Sequence, residues 1–324
     1  MKLIKPSFEI LEQLPGLEGL YKQIELAGRT CYKSEDKITE DSAKEFVDRM
    51  IKSGHGAMLE HGTVYLKVLL NNELVYEDAY GENNSVSAYG RYINNKYSKV
   101  SCRDGLENIF ITDTVEPGYA YITTNLRVLV ENGWLDDLKY LCEPTEFHEK
   151  RITVKFICDR GVSHEFVRHR VFSFAQESTR YCNYSKDKFG NEITCILPPW
   201  LSENDLPKGF GYTSDDWGSL ICEFYYEATE KGKSEGFTIE PVRNFVFALQ
   251  TSEQLYFSLL KEGWKAQEAR SVLPNALKTE LVMTGFESDW KHFFDLRCPG
   301  SAHPQARELA VPLYEKFKEL KWVD

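Results

Sequence analysis

The stretch from Ile152 to Tyr181 constrains the fold more than any other part of the chain. One face of this stretch consists of Ile152, Val154, Phe156 and Cys158, and the other of Thr153, Lys155 and Ile157. This is the period-two pattern of a β-strand. The residues Asp159-Arg160-Gly161 follow, and a helix is predicted from Val162 onward. On that helix Val162, Glu165 and Arg168 would lie near one face. The sequence therefore predicts a strand, a tight turn and a helix that delivers an arginine-rich segment.

That segment concentrates cations in a protein that is acidic overall. The chain has 50 Asp and Glu against 39 Lys and Arg, for a formal net charge of −11. Its cations between residues 160 and 180 are Arg160, His164, Arg168, His169, Arg170 and Arg180. Such a cluster suits a small anion, because a guanidinium pairs two phosphate or carboxylate oxygens at once. The negative net charge argues against a protein that coats nucleic acid, because such binding depends on neutralising many backbone phosphates. A solvated, basic helix end explains the same residues equally well.

The length and composition of the chain limit the class of protein to which it can belong. A chain of 324 residues with 18 Tyr, 19 Phe and 6 Trp is expected to fold and to bury a core. No apolar run approaches the roughly 20 residues that cross a bilayer, and the first residues lack the pattern of a signal peptide. We therefore expect a soluble, cytoplasmic protein without a membrane partner. The eight cysteines form no CxxC pair, so reduced thiols and no zinc site are expected.

The rest of the chain mixes helices and strands without a strict βαβ rhythm, which favours an α+β fold with a central antiparallel or mixed sheet. We expect one domain over residues 1–324, with a mostly helical insertion at about 71–150 that becomes helical around Tyr119 to Glu131. Helices are predicted at 39–53, 214–230, 245–260, 265–272 and 303–320, and one more helix is predicted to end near Arg297. A loop is predicted at 54–62, and strands at 64–68 and 276–284.

Three further groups carry candidate chemistry. His55, Glu60 and His61 could be metal ligands, a general base or structural residues before a strand, and structural histidine is favoured. Arg270 lies in an apolar helix that Pro274 ends, and Arg297 closes another helix. Neither a G-x-x-x-x-G-K-[ST] loop nor a G-x-G-x-x-G motif is present. A bound dinucleotide would therefore be held by side chains.

Together these segments resemble the flavin-dependent thymidylate synthases. The family signature R-H-R, seven residues, S, one residue, R is present as Arg168-His169-Arg170, Ser178 and Arg180. The flanking motifs follow in the family's order: GH-x4-EH at His55 to His61, EARxxLP at Glu268 to Pro274, F-x-x-LR ending at Arg297, and AxxQAR-E from Ala302 to Glu308. The resemblance covers about residues 40–70 and 150–320.

The resemblance implies reductive methylation of dUMP to dTMP. Methylenetetrahydrofolate would supply the carbon, NADPH the reducing equivalents and FAD the redox relay. It also implies a homotetramer whose active sites are shared between subunits, and no binding of nucleic acid. The cysteine nucleophile of ordinary thymidylate synthases would be absent, with Cys182 the one tempting candidate.

Residue roles follow from the same resemblance. Arg297 would be catalytic, polarising the uracil ring with a fixed cation. FAD contacts would come from the residues that match the family's cofactor positions, namely Arg168, His169, Arg170, Val171, Gln176, His292, His55 and Ala57. The dUMP site would consist of Glu165, Phe166, Arg168, Gln176, Glu177, Ser178, Thr179, Arg180, Arg270 and Arg297, with Arg180 and Arg270 on the phosphate.

The sequence also departs from the family pattern. Many relatives have Asn-x-Arg where this chain has Phe286 and Ser288, and a Ser or Thr where it has Ala57. The side-chain contacts to FAD at Phe286 and Ser288 therefore do not transfer cleanly, and Ala57 can offer the cofactor only its backbone. A flavin-dependent methylase of another pyrimidine nucleotide remains an alternative, because both substrates carry a 5′-phosphate. A nucleic-acid-binding protein is the alternative from a different class.

Overall fold

The structure is a computed structural model that describes residues 1–70, 73–77, 83–103, 118–202 and 241–323. The predicted helix at 214–230 and Cys222 lie outside the described residues. The chain divides into two compact units. Unit 1 comprises Met1–Pro6, Cys158–Ser163 and Ser178–Thr279, and unit 2 comprises Ser7–Ile157, His164–Glu177 and Glu280–Asp324. A single domain over the whole chain stays a prediction.

Eleven strands occur in the described residues. They are β1 (Lys2–Ile4), β2 (Ser7–Leu11), β3 (Thr63–Leu69), β4 (Glu73–Glu77), β5 (Asn83–Ser87), β6 (Lys99–Arg103), β7 (Tyr119–Asn125), β8 (Arg151–Asp159), β9 (Ser173–Gln176), β10 (Thr194–Ile196) and β11 (Lys278–Phe286).

The helices alternate with these strands irregularly. The described α-helices are α1 (Gly16–Tyr32), α2 (Ser42–Lys52), α3 (Gly56–Leu59), α4 (Gly90–Ile93), α5 (Leu126–Asn132), α6 (Arg160–Phe166), α7 (Pro241–Lys261), α8 (Ala266–Ala269), α9 (Glu287–Arg297) and α10 (Pro304–Glu319). Short 3-10 helices lie at Glu35–Lys37, Leu135–Tyr140, Asp187–Phe189 and Arg270–Val272. Within the described residues, no helix is both long and apolar enough to cross a membrane.

Unit 2 is built around a four-stranded sheet in the order β2-β8-β11-β9. β2 pairs with β8 and β9 pairs with β11, both antiparallel. A second antiparallel sheet has the order β3-β7-β6, and β4 pairs with β5. Apolar faces of α1 and α2 pack with β3 in one core, where Leu20, Ile24 and Val47 are fully buried.

Unit 1 has its own small core. β1 and β10 pair in parallel, with Leu3 opposite Cys195. Side chains of α7 pack on this part of the unit, and Tyr256 is fully buried there. Charges support the packing of α7 beside β1, because the amino group of Met1 lies 3.0 Å from the carboxylate of Glu253 on α7. The predicted α+β class with antiparallel sheets is therefore confirmed.

Most predicted elements are found close to their expected bounds, and four predictions need correction. α6 ends at Phe166, so Arg168 is not on it: the N–H groups of Arg168 and His169 donate to carbonyls three residues back rather than four. Residues 54–62 contain a helical turn, α3, rather than only a loop. The predicted helix at 265–272 is two short pieces.

The fourth correction concerns the insertion. Tyr119–Asn125 is a strand, because its Tyr, Ile and Thr side chains suit a pleated sheet and it pairs on both sides with β3 and β6. Only from Leu126 is this segment helical. In the described part of residues 71–150 four strands accompany two α-helices and a 3-10 helix, so the prediction of a mostly helical insertion is wrong there.

Candidate active site

Arg297 is the most firmly held cation of the predicted site. It is the last residue of α9 in unit 2, and its side chain is only 16% exposed. Its Nη1 donates to Glu165 Oε2 at 2.5 Å and its Nη2 to the Glu165 carbonyl at 2.8 Å. Its Nε donates to His169 Nε2 at 3.0 Å. Since a guanidinium has five N–H groups, two remain available for a ligand.

His169 keeps Arg297 in place because its ring is neutral. Burial, together with the charges of Arg297 and His292, lowers the pKa of His169 to about 4. At neutral pH the ring therefore carries one proton, and Nε2 is free to accept the hydrogen bond from Arg297. A protonated His169 could not accept that bond, so the arrangement requires a pH above the pKa of His169.

Aromatic packing fixes the His169 ring. The ring lies 5.1 Å from the ring of Phe293 and 6.2 Å from that of Phe172. Phe172 in turn packs on Trp290, and both side chains are buried. Gly285 allows this arrangement, because a Cβ at that position would lie 2.5 Å from the Phe172 ring. Only a glycine at this position of β11 leaves room for the Phe172 ring.

Arg168 and Arg170 flank His169 in sequence, but they differ from it in exposure. Both side chains are exposed. Among the described residues, neither guanidinium has a carboxylate partner. Val171 follows them with 60% of its surface exposed. The next residues enter β9, which ends at the half-buried Gln176. This loop thus carries two exposed cations and an exposed apolar side chain.

The residues from Ser178 to Arg180 belong to unit 1 and form a tight turn. The N–H groups of Tyr181 and Cys182 donate to the Ser178 carbonyl at 3.1 and 2.9 Å. Arg270 Nη1 donates to the hydroxyl of buried Thr179 at 3.1 Å. The structure thus brings Thr179 and Arg270 together. The exposed guanidinium of Arg180 stacks over the Tyr181 ring at 5.3 Å, and within the described residues neither arginine is paired with a carboxylate.

Two predicted dUMP contacts are buried in unit 2. Phe166 is fully buried, with its ring 5.1 Å from the rings of Phe156 and Phe293. Glu177 is 2% exposed, and its N–H donates to the Glu280 carbonyl at 2.9 Å. A nucleotide contact of Phe166 would therefore come from its backbone.

The His55–His61 turn, which contains α3, separates its two histidines. His55 and Ala57 are partly exposed, whereas His61 is fully buried. His61 Nδ1 lies 2.8 Å from the Thr284 hydroxyl, and burial lowers the pKa of His61 to about 3. Glu60 pairs with Arg127. Among the described residues no three His, Cys, Asp or Glu side chains converge as a metal site requires.

Phe286 and Ser288 have structural partners at the start of α9. Phe286 is 7% exposed, and the guanidinium of Arg151 lies over its ring at 5.5 Å. The Ser288 hydroxyl donates to Glu149 Oε1 at 2.5 Å. His292, on the same helix, is exposed, and its ring lies 6.3 Å from that of His169. Cys182 is 1% exposed in the core of unit 1.

Two groups near these residues were not anticipated from the sequence. Buried Glu280 lies 2.6 Å from the amino groups of both Lys33 and Lys155, and its carbonyl holds Glu177. Arg127, from α5, reaches the His55–His61 turn. No local motif marks either group, because the partners are far apart in sequence. The N-cap residue Asn125, whose side chain accepts from the Val128 N–H, could have located α5.

Comparison with known proteins places these residues in a family. The sequence matches the family described as thymidylate synthase complementing protein over residues 120–321. Flavin-dependent thymidylate synthases of Corynebacterium aurimucosum and Geobacter sulfurreducens are 29% and 30% identical over 160 and 159 residues, 49% of this chain and 54% and 52% of theirs. The synthase of Mycobacterium sp. (strain JLS) is 28% identical over 195 residues, 60% of this chain and 65% of its own.

The chain thus spans about half the length of the first two of these curated relatives. Among solved structures, the UMP/dUMP methylase PolB from Streptomyces cacaoi bound with 5-Br dUMP aligns with 99% of this chain and 93% of its own. The alignment has 15% identity and a TM-score of 0.39. Because the family match extends from residue 120 to residue 321, which is more than half of the chain, this protein belongs to the thymidylate synthase complementing protein family.

Proposed function

We propose that this protein is a flavin-dependent thymidylate synthase that converts dUMP to dTMP by reductive methylation. Methylenetetrahydrofolate is the carbon donor and NADPH the reductant. Family membership and the name shared by the curated relatives support this reaction. The observation that carries it is the state of Arg297: a cation held by His169 and Glu165 with two N–H groups left for a ligand.

The residues of the Arg168–Gln176 loop fit FAD. A dinucleotide presents two phosphates and a flat apolar ring, and the loop offers the unpaired cations Arg168 and Arg170 beside exposed Val171. His55, Ala57, His169, Gln176 and His292 are the further residues that would hold it. When bound, FAD supplies the redox relay between NADPH and the methylene group.

The nucleotide would be held through its phosphate and its base by different groups. Arg180 and Arg270 are exposed guanidinium groups suited to a 5′-phosphate, and Thr179 orients Arg270. Ser178 lies in the same turn as a binding and orienting residue. Glu165, Arg168, Gln176 and Glu177 complete the proposed set, with Phe166 contributing its backbone.

Arg297 would act on the uracil ring. Charge develops on the ring oxygen as the ring is activated for methylation, and a fixed cation stabilises that charge without having to reorganise. His169 and Glu165 supply the fixation, since three of the five Arg297 N–H groups are already engaged. The protein binds, orients and stabilises charge, and no cysteine nucleophile is required.

We further propose a homotetramer with shared active sites and a cytoplasmic location, where the proposed substrates are found. Exposed apolar side chains on or next to the proposed site segments support association. Val171, Tyr181 and Leu296 are 60%, 58% and 51% exposed.

An anaerobic reaction tests the proposed function. The FAD-loaded protein is reduced with NADPH, dUMP and methylenetetrahydrofolate are added, and dTMP and flavin reoxidation are followed together. Formation of dTMP that requires dUMP supports the proposal. Reducible flavin without dTMP would redirect it to another pyrimidine nucleotide. A protein that binds no flavin, and is retained on DNA in a salt-sensitive way, would contradict it.

A further inference from the structure

Within the described residues, the start of α5 contacts the His55–His61 turn of the proposed cofactor site. α5 begins beside the end of the His55–His61 turn, where the Leu126 N–H donates to the Gly62 carbonyl at 3.0 Å. Thr63 and Asn125 are opposite each other in the β3–β7 pairing, which fixes this approach. The next residue, Arg127, therefore projects from a helix whose start is fixed against the turn.

Arg127 contacts the turn twice. Its Nη1 pairs with the carboxylate of Glu60. Its side chain also lies against Gly56: a Cβ on that glycine would be 3.0 Å from Nε and 3.4 Å from Cδ of Arg127. Gly56 stands between His55 and Ala57, the two proposed cofactor contacts of the turn. The same arginine therefore fixes both the first and the last part of the turn.

Glu60 is held from two sides. Arg127 binds its carboxylate, while Arg151 Nη1 donates to its carbonyl at 2.9 Å. Arg151 begins β8 of the central sheet, whereas Arg127 belongs to the insertion. The turn is thus held between the sheet and the insertion, and without Arg127 only the sheet would hold Glu60.

The charges around Arg127 indicate whether this side chain binds an anion or holds the His55–His61 turn. Glu131 accepts from its Nε at 2.6 Å, so two carboxylates, Glu60 and Glu131, surround one guanidinium. Arg127 and its two carboxylate partners together carry a charge of −1, and the carboxylates already occupy its Nε and one Nη1 hydrogen, which disfavours a phosphate on this guanidinium. Both partners favour the charged guanidinium and raise the pKa of Arg127. Arg127 is therefore suited to hold the turn rather than to bind the anion itself.

We propose that Arg127, supplied by the insertion, is a positioning residue that holds the His55–His61 turn in its cofactor-binding conformation. The proposal rests on the proposed function, since the turn matters to a flavin only if this protein binds one. It assigns a role to the insertion and to a residue outside the family motifs. Ala57 makes the role more important, because it offers only its backbone to the cofactor and the backbone must be correctly placed.

The test is FAD titration of the apoprotein, followed by quenching of flavin fluorescence. Arg127→Ala should weaken FAD binding about tenfold, because a preorganised site loses affinity when its conformation is no longer fixed. Arg127→Lys should recover part of that loss, since lysine can still pair with Glu60. The matched control is Arg103→Ala, an exposed arginine of β6 that stacks over Phe147 at 4.9 Å. It should bind FAD as the wild type does.

Thermal unfolding of each apoprotein separates positioning from loss of fold. Arg127→Ala with an unchanged melting temperature and weakened FAD binding supports the proposal. Wild-type FAD binding by that variant overturns it while leaving the proposed function intact. A wild-type protein that binds no FAD overturns both.

Gly56→Ala gives a second test that removes no charge. The new methyl group would push on the Arg127 side chain, so it should weaken FAD binding in the wild-type background and have a smaller effect beside Arg127→Ala. Equal effects in both backgrounds would overturn the proposal. Wild-type FAD binding by Gly56→Ala alone would also overturn it, and that measurement does not require the Arg127→Ala variant to fold.

Discussion

Two kinds of arginine occur among the residues proposed for the site, and they differ in how they are held. Arg297 is 16% exposed and bonded to His169 and to both the carboxylate and the carbonyl of Glu165. Arg168, Arg170, Arg180 and Arg270 are exposed, and in the described residues none has a carboxylate partner. A fixed cation can stabilise charge that develops during a reaction, whereas exposed cations can close on phosphates that are present before it. Under the proposed function, the fixed arginine would serve the chemistry and the exposed arginines would bind the phosphates.

Removing the fixed cation should have the largest effect. Arg297→Ala should lower kcat about a hundred- to a thousand-fold, as loss of one preorganised donor typically does. FAD content and the KM for dUMP should change little. Lys291→Ala, an exposed cation on the same helix, is the control for the change in charge. Steady-state rates of dTMP formation provide the measurement, and a kcat close to that of the wild type would remove Arg297 from catalysis.

Removing an exposed cation should act on binding instead. Arg270→Ala should raise the KM for dUMP about ten- to a hundred-fold, because a hydrogen bond to a charged group is worth roughly 1.5–3 kcal/mol. The kcat should remain near that of the wild type. Deoxyuridine, which lacks the phosphate, should bind equally to both proteins in a competition assay. A fall in kcat without a change in KM would erase the distinction between the two kinds of arginine.

The packing beneath the fixed cation can be disturbed separately. Gly285→Ala would place a methyl group 2.5 Å from the Phe172 ring and should lower the free energy of unfolding by about 1–3 kcal/mol. The displaced Phe172 should also disturb His169 and reduce kcat. Gly300→Ala, with nothing within 4 Å of the new atom, serves as the control. Urea unfolding compares the two, and equal stabilities would contradict the packing argument.

The smallest predicted effect is a pH dependence of stability. The pKa of His169 is about 4 in the folded protein against 6.5 ordinarily, so between these values the unfolded chain binds more protons. Stability should therefore fall as pH falls below 6.5, by about 1 kcal/mol between pH 7 and 5.5. His169→Gln, whose amide oxygen can still accept from Arg297, should lose this part of the slope. His61 contributes with the same sign in both proteins, and identical slopes would contradict the account.

Local patterns predicted much of the fold. β3, β8 and β11 follow from their apolar alternation, and α2, α7, α9 and α10 from helical spacing. The failure in the insertion, by contrast, has a non-local cause. Tyr119–Asn125 becomes a strand because β3 and β6 pair with it on both sides. Pairing between distant segments leaves no periodic pattern in the local sequence that could predict it.

The site was predicted less completely than the fold. The family motif named Arg168 to Arg180, Arg270 and Arg297, but it did not reveal that Glu165 and His169 hold Arg297. Those contacts join positions 128 and 132 residues apart. Arg127 and Glu280 were missed for the same reason, since their partners come together only through tertiary packing. Their roles rest on distances and charges, which the sequence does not contain.

The most direct test of the contrast is a single-turnover experiment on Arg297→Ala and Arg270→Ala together, with reduced enzyme and saturating dUMP. The account predicts that Arg270→Ala forms dTMP at nearly the wild-type rate once saturated, whereas Arg297→Ala binds dUMP and FAD but forms dTMP about a hundred-fold more slowly or worse. Equal rates for the two variants at saturation would contradict it, because fixed and exposed arginines would then serve the same purpose.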